Sequence, residues 1–559
     1  MTLQLDDAVA MRPDYVIVGA GPAGCVLAGR LSEDPAVKVL LIEAGRSCDN
    51  FRVRLPFGPA MMLTRPAWDW AWQTPRDPTM NGRRITWSAG KVVGGGSSVH
   101  GQVHMRCLPA DYDEWAEAIG EGSEWSYDDL LPYLIGCENY LGSDSPVRGR
   151  GGPLQVADIL DGDVHPMAEA LIAAGEDLGY ERTDLNGERP EGFGLTQATQ
   201  HDGRRFNAYD GYVRPHLGRP NLGVLVQTRV TRIVMEDGAA VGVEIDGTKV
   251  VRAAREVLVS AGTIASANLL MKSGIGPEQV LKDAGVPVQV HRDGVGHNLQ
   301  EHSGVSLSRF VRDHWSLNEA RSRPDLAAKY LYQLLLRKRG PFASPVVQAM
   351  GFVRTRPDLS RPDVQLHLMP FAYKMRPDDR SPLTAKMPRQ TAVSIQATLT
   401  KPHVRGQVRI TDPNPTSAPA IDHRLLGDER DLQTLVAASK LVTEIFGGSR
   451  FGPSVVGNYN PPVDPGTDAE WVDFVRNNTN IGYHQVGTCR MGQANDPTAV
   501  VDPACRVIDA RRLRVVDASV MPVVPSANTY IPTVAVAEKA AALISTRSPR
   551  RELTDLGHR

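Results

Sequence analysis

The chain has 559 residues, 42% apolar and 23% charged, with a net charge of −2; that length exceeds what one hydrophobic core serves, so two or more domains are expected. The balance leaves no basic surplus for nucleic acid, residues 1–12 carry acids and no apolar stretch of a secretory signal, and no run approaches the ~20 apolar residues of a membrane span. Six scattered cysteines without a CxxC pair argue against a zinc site or a disulfide framework and for reduced thiols in a cytoplasm.

The strongest motif comes first. Residues 15–18, Tyr-Val-Ile-Val, read as a buried parallel strand. They run into Gly19-x-Gly21-x-x-Gly24, whose glycines serve a tight turn, close approach of backbone to a pyrophosphate, and helix–strand packing. The following helix aims its N–H groups and positive dipole end at that phosphate. A second strand at 37–42 ends in Glu43, about 20 residues past the turn, where an acid suits a ribose hydroxyl rather than a 2′-phosphate. Strand, glycines, helix, strand and acid in register predict dinucleotide binding.

Residues 46–89 are irregular, with prolines and Trp68, Trp70, Trp72 and Trp87. Such a stretch suits a cofactor cover or an ordered functional loop, and the Trp-x-Trp-x-Trp alternation also suits one face of a strand. Gly94-Gly95-Gly96-Ser97-Ser98 follows; its backbone N–H groups can cradle an anion, and it lacks the Lys-Ser/Thr ending of a nucleoside-triphosphatase loop. Helical spacing marks 109–141 and 165–178, with a Gly/Pro/Ser/Arg connector at 144–152 as a candidate boundary. Runs at 222–226, 230–235, 240–245 and 250–253 read as a meander of short strands. A strand at 256–260 then leads through Ala261-Gly262 into a helix at 266–272, a return to the dinucleotide domain. The polar run at 294–302, GVGHNLQEH, could hold a phosphate or ribose.

Strands at 364–369, 393–400 and 407–411 and helices at 326–339 and 429–446 give a second, sheet-and-helix domain that could wall a substrate pocket. A polar turn at 483–492 contains His484. Residues 500–502 and 513–516 read as strands, 534–543 as a last apolar helix, and the tail from Ser545 is charged.

Six motifs in this order carry a resemblance: Gly19–x–Gly24 with Glu43, GKVVGGGSSVH, AGTIASANLLMKSGIGP, VGHNLQEH, HQVGTCRMG and VVDASVMP. From about residue 14 to 543 the chain resembles the glucose–methanol–choline family of FAD oxidoreductases, and within it the choline dehydrogenase, aryl-alcohol oxidase and hydroxymethylfurfural oxidase branch. The resemblance implies an α/β protein with a Rossmann-like FAD domain, discontinuous in sequence, and an α+β substrate domain built on an antiparallel sheet. Residues 1–155, 221–305 and 496–559 would form the FAD domain, and 156–220 with 306–495 the substrate domain.

It also implies site residues. Gly19, Gly21 and Gly24 become pyrophosphate contacts and Glu43 the ribose contact. Val93 with Gly95, Gly96, Ser97 and Ser98 becomes the loop beside the isoalloxazine, Val230 the adenine-side contact, and Asp517 with Ala518 the flavin end. His484 matches the active-site histidine near flavin N5. Three departures stand out. His100 replaces the usual Asn, as in the aryl-alcohol oxidases, and Val99 stands where some members tether the flavin through a histidine, so FAD is expected to be non-covalent. Ser266-Ala267 replaces Ser-Pro. Asn528-Thr529-Tyr530-Ile531-Pro532-Thr533 stands for Asn-Thr-Asn-Ala-Pro-Thr, which puts Tyr530 in the slot of the second catalytic residue, an Asn or His.

The expected reaction is oxidation of a primary, aryl or otherwise apolar alcohol to the aldehyde, with His484 accepting the hydroxyl proton and hydride passing to flavin N5. Tyr530 would bind substrate or wall the pocket, and His100 would assist or fix the flavin loop. No metal is called for. The expected partners are the alcohol and an acceptor, oxygen or a quinone, with no nucleic acid, and the oligomeric state stays open. Two alternatives remain: a lyase of hydroxynitrile-lyase type with structural FAD, and a catalytically altered member plugged by Tyr530.

Overall fold

The computed structural model describes residues 3–159, 163–312, 314–374 and 387–545; the charged tail expected past Ser545 lies outside them. Five strands, β1 (Tyr15–Val18), β2 (Val39–Ile42), β3 (Leu222–Leu225), β4 (Glu256–Val259) and β5 (Leu513–Val515), form one parallel sheet in the order β3-β2-β1-β4-β5. β1, β2 and β3 are buried at every residue. That two-sided burial is why they read as continuous apolar runs instead of alternating. From β1 the sheet order runs outward through β2 and β3 on one side and β4 and β5 on the other. A crevice at the carboxyl ends of the strands belongs at that switch point.

Four helices bear on the site: α1 (Pro22–Leu31), α2 (Thr263–Lys272), α3 (Pro324–Arg337) and α4 (Tyr530–Ser545). α1 links β1 to β2, and α4 lies along it. α4 is apolar nearly all round because it is buried nearly all round. Its buried Glu538 is paired, taking Arg30 at 2.8 and 2.9 Å and the Tyr212 hydroxyl at 2.6 Å, as a buried charge must be.

The second layer is a seven-stranded antiparallel sheet. Its order is Val455–Asn460, Ser303–Val311, Ala392–Leu399, Val364–Met369, Ala349–Val353, Phe193–Leu195, with Asn480–Ile481 pairing on Ser303 and Gly304. Side chains alternate across a strand, and here the alternation separates two jobs. Val305, Leu307, Leu366, Leu368, Ile395 and Ala397 are fully buried in the apolar core, with helices Pro166–Asp177 and Glu429–Gly447 packed on the sheet. Gly304, Ser306, His367, Met369, Gln396 and Thr398 line the cavity described below.

Several expectations need correction. Of the supposed meander, only Val230–Glu236, Ala239–Ile245 and Lys249–Arg252 form an antiparallel sheet; β3 instead pairs in parallel with β2, because its four buried residues need cover on both faces. Residues 500–502 form no strand: Val501 makes only isolated bridges, to Met491 and Val507. Residues 109–141 are two helices, Pro109–Ile119 and Tyr127–Gly136, followed by strand Glu138–Tyr140. That strand pairs with Leu154–Val156, so 144–152 is the loop between paired strands. Within 156–220, Phe193–Leu195 joins the antiparallel sheet while Ala208–Tyr212 packs on α1.

Candidate active site

A cavity of about 990 Å³ lies between the carboxyl ends of β1 and β4 and the polar face of the antiparallel sheet. Its inner end is built by the two glycine loops, which touch each other. Gly19 has φ +101°, and an added Cβ would sit 2.5 Å from Ser260 O; at Gly24 it would sit 1.9 Å from Gly19 O. Gly95 (φ +51°) lies so close that its Cβ would meet Gly21 Cα at 2.7 Å, and the Gly94 N–H donates to Ala20 O at 2.7 Å. Gly96, by contrast, faces open space within the cavity wall. The N-terminal ends of α1 and α2 both border the cavity, which makes this end suited to a pyrophosphate.

The remaining wall also calls for a long polar ligand. Ser88 Oγ, His100 Nε2, Ser260 Oγ, Asn268 Oδ1 and Gln485 Nε2 are buried without a protein partner among the described residues, and all belong to lining residues. Buried polar atoms are normally paired, and the residues that carry these unpaired ones gather around one cavity, which fits a dinucleotide with donors and acceptors along its length.

The structure brings Gly19, Gly21, Glu43, Gly95, Gly96, Ser97, His100, Val230, His484, Asp517, Ala518 and Tyr530 to this cavity. Gly24, Val93 and Ser98 stand behind it: Gly24 lets α1 close on the turn, and the Ser98 hydroxyl donates to Val93 O at 2.7 Å. Glu43 accepts N–H bonds from Ala20 at 2.9 Å and Gly45 at 2.6 Å; burial nevertheless raises its carboxyl to about 7. Asp517 accepts from Gly262 N–H at 2.9 Å and Ser266 Oγ at 2.5 Å, and so pins the start of α2.

His484 is held by a directed chain. The carbonyl of Thr400 can only accept, so His302 Nε2, 3.1 Å away, carries a proton. His302 Nδ1 is then an acceptor, and its 2.8 Å partner, His484 Nδ1, is the donor. His484 Nε2 is left with a lone pair and accepts from Asn528 Nδ2 at 2.9 Å. Burial, reinforced by the neighbouring His302, His367 and His100, holds the His484 imidazole well below its ordinary value. Burial and the Lys401 cation push the His302 imidazole down to about 4. Both rings are therefore neutral near pH 7. Glu301 Oε1 accepts the backbone N–H of His484 at 2.8 Å and fixes the turn.

Two expectations change here. The run at 294–302 does not touch a phosphate or ribose; no residue of it lines the cavity. It braces the His484 turn through Glu301 and His302, while Gln300 Nε2 donates to Pro522 O at 3.0 Å. Tyr530, expected in the slot of the second catalytic residue, is in the first turn of α4, lines the cavity and has its ring 4.8 Å from His100. The amide that contacts His484 is Asn528, two residues earlier.

His100 Nδ1 accepts the Gln102 N–H at 2.7 Å, with Arg205 at 3.2 Å on the same nitrogen. The imidazole proton is therefore on Nε2, the unpartnered donor. Arg205 is buried and, among the described residues, its side chain bonds only to carbonyls and this ring, including Ser97 O at 3.2 Å and Val53 O at 3.1 Å. Desolvation lowers its guanidinium to about 9. Asn528, His302, Glu301 and Arg205 were missed in the sequence. Asn528, Glu301 and His302 left a signal, as members of quoted motifs; their roles, and that of Arg205, depend on contacts more than a hundred residues apart or, for Asn528, on a neighbour 44 residues away.

Sequence models of the GMC oxidoreductase family match residues 13–304 and 402–537. The chain is 38% identical over 557 residues to an oxygen-dependent choline dehydrogenase of Rhizobium etli (strain CIAT 652), covering 96% of each. It is 36% identical to one of Vibrio vulnificus (strain YJ016), covering 96% of this chain and 95% of that one. Among solved structures, pyridoxine 4-oxidase from Mesorbium loti superposes with a TM-score of 0.85 at 30% identity, covering 96% of this chain and 100% of that chain. Formate oxidase of Aspergillus oryzae RIB40 gives 0.87 at 26%, covering 96% and 98%. A fungal aryl-alcohol oxidase, at 0.80 and 24%, shares the fold. The chain belongs to the GMC oxidoreductases and is an FAD-dependent oxidoreductase acting on CH–OH donors.

Proposed function

We propose that the protein oxidises a primary apolar or aryl alcohol to its aldehyde, with His484 as the base and Asn528 as its hydrogen-bonding partner on the substrate oxygen. The Thr400–His302–His484 chain carries this reading, because it leaves a lone pair on a neutral imidazole Nε2 at the cavity wall. FAD, when bound, supplies the two-electron acceptor. His484 Nε2 takes the hydroxyl proton as negative charge develops on oxygen. Protonation of Nε2 ends its role as acceptor for Asn528, whose Nδ2–H can then donate to the substrate oxygen. Val99, buried and without a nucleophile, supports non-covalent FAD; acid precipitation should release all the flavin into the supernatant.

The substrate class rests on the cavity wall. Phe371, Tyr373, Val346 and Met369 supply apolar surface, and the only carboxylates among the described lining residues are Glu43 and Asp517. Both are occupied by N–H donors. A quaternary ammonium such as choline finds no free counter-ion there, although relatives are named choline dehydrogenases. The test is anaerobic titration of the holoenzyme with benzylic alcohols, linear primary alcohols and choline. Bleaching of the flavin by the apolar alcohols at lower concentration than by choline supports the assignment; preference for choline, or no bleaching by any alcohol, overturns it.

A further inference from the structure

α3 has two apolar faces, and only one of them is used. Tyr330 and Leu334, one helical turn apart, are buried, and Tyr330 rests edge-on against Phe342, ring centroids 5.5 Å apart. On the opposite side Leu331, Tyr332, Leu335 and Leu336 are 43%, 51%, 52% and 71% exposed. Their i, i+4 spacing puts them in one outward stripe. Single exposed leucines are ordinary, but a contiguous stripe of four large side chains marks a docking surface.

The charge around the stripe selects the occupant. Residues 319–339 hold six cationic side chains (Arg321, Arg323, Lys329, Arg337, Lys338, Arg339) against two acidic ones, in a chain whose net charge is −2; Arg323, Lys338 and Arg339 are paired with Asp325, Asp202 and Asp163. Among the described residues Lys329 and Arg337 have no carboxylate partner, and Arg337 lies over the Tyr332 ring at 5.7 Å. An apolar stripe flanked by cations, on a helix too short and too charged to cross a bilayer, matches an anionic lipid interface. The helix is also next to the cavity: Ala320 and Arg321 before it and Phe342 after it line it.

We propose that α3 seats the enzyme on an anionic membrane surface, with its outward stripe in the headgroup–acyl boundary and the cavity beside it. An apolar alcohol or a lipid-soluble acceptor could then reach the cavity from the bilayer edge. The test is co-sedimentation of the holoenzyme with vesicles of phosphatidylcholine containing 30% phosphatidylglycerol, against pure phosphatidylcholine, with light scattering to report oligomeric state. Binding should be roughly tenfold or more stronger to the anionic vesicles, given about a tenfold gain for one or two surface cations, and should weaken as salt is raised. Leu331→Ser/Leu335→Ser/Leu336→Ser should lose binding while keeping flavin content and turnover of a water-soluble alcohol. Lys329→Glu/Arg337→Glu should lose the preference for phosphatidylglycerol. Failure of the wild type to bind, equal binding to both vesicles, or conversion of a dimer to a monomer by the triple variant would each overturn the proposal, the last by assigning the stripe to a second copy of the chain.

Discussion

Replacing His302 by Ala removes the acceptor of the His484 Nδ1–H without touching the lone pair on Nε2. The donor it abandons is buried, and a buried unsatisfied donor costs roughly 1–3 kcal/mol. The imidazole can recover that energy by moving its proton to Nε2, which makes it a donor where a base is needed. If the whole penalty falls on the competent tautomer, flavin reduction slows by roughly 5- to 150-fold. The assay is anaerobic stopped flow at saturating alcohol, following the flavin absorbance. The limiting rate should fall while the apparent dissociation constant of the alcohol changes little, since His302 does not line the cavity. His302→Gln, whose amide can accept from His484 and donate to Thr400 O, should recover much of the rate. Reduction by the Ala variant at the wild-type rate would refute the tautomer argument.

Other predictions follow from the same geometry. Because burial lowers the His484 imidazole, its active neutral form persists below pH 6.5; the limiting reduction rate should be flat from pH 6.5 to 8 and fall only on the acid side as the base is protonated, and a fall centred near 7 would count against it. Asn528→Ala should slow reduction about 100-fold, the loss expected for one preorganised donor. Asn528→Asp should place a carboxylate on the imidazole, favour its charged form and move the acid limb to higher pH. Gly96→Ala, whose Cβ enters open cavity space, should lower FAD affinity while the apoprotein melts normally. Gly24→Ala, whose Cβ would sit 1.9 Å from Gly19 O, should lower the melting temperature of the apoprotein itself.

The residues readable in advance were those whose role is set locally. β1, the glycine turn and α1 carry their own signature, and Glu43 follows at a fixed distance, so the sequence located one wall of the site. The antiparallel sheet was partly visible because Val364–Met369 and Ala392–Leu399 alternate apolar and polar residues. What could not be read was partnership across the chain. β3 looks like its neighbours Val230–Glu236 and Ala239–Ile245, and only the tertiary fold sends it to β2. His302 and His484 are 182 positions apart and meet through one hydrogen bond. Tyr530 was assigned the second catalytic slot by counting along a motif, yet the side chain in hydrogen-bond contact with His484 is Asn528, two residues earlier, just before α4.

The central claim is that His484 takes the substrate proton. Its most direct test is the anaerobic reduction of bound FAD by a benzylic alcohol in wild type and in His484→Ala. The account predicts that the variant binds FAD normally, since His484 braces neither glycine loop, and that its flavin is reduced at least a thousandfold more slowly, a loss on the order of 4 kcal/mol in the barrier. Reduction of His484→Ala within tenfold of the wild-type rate would contradict it.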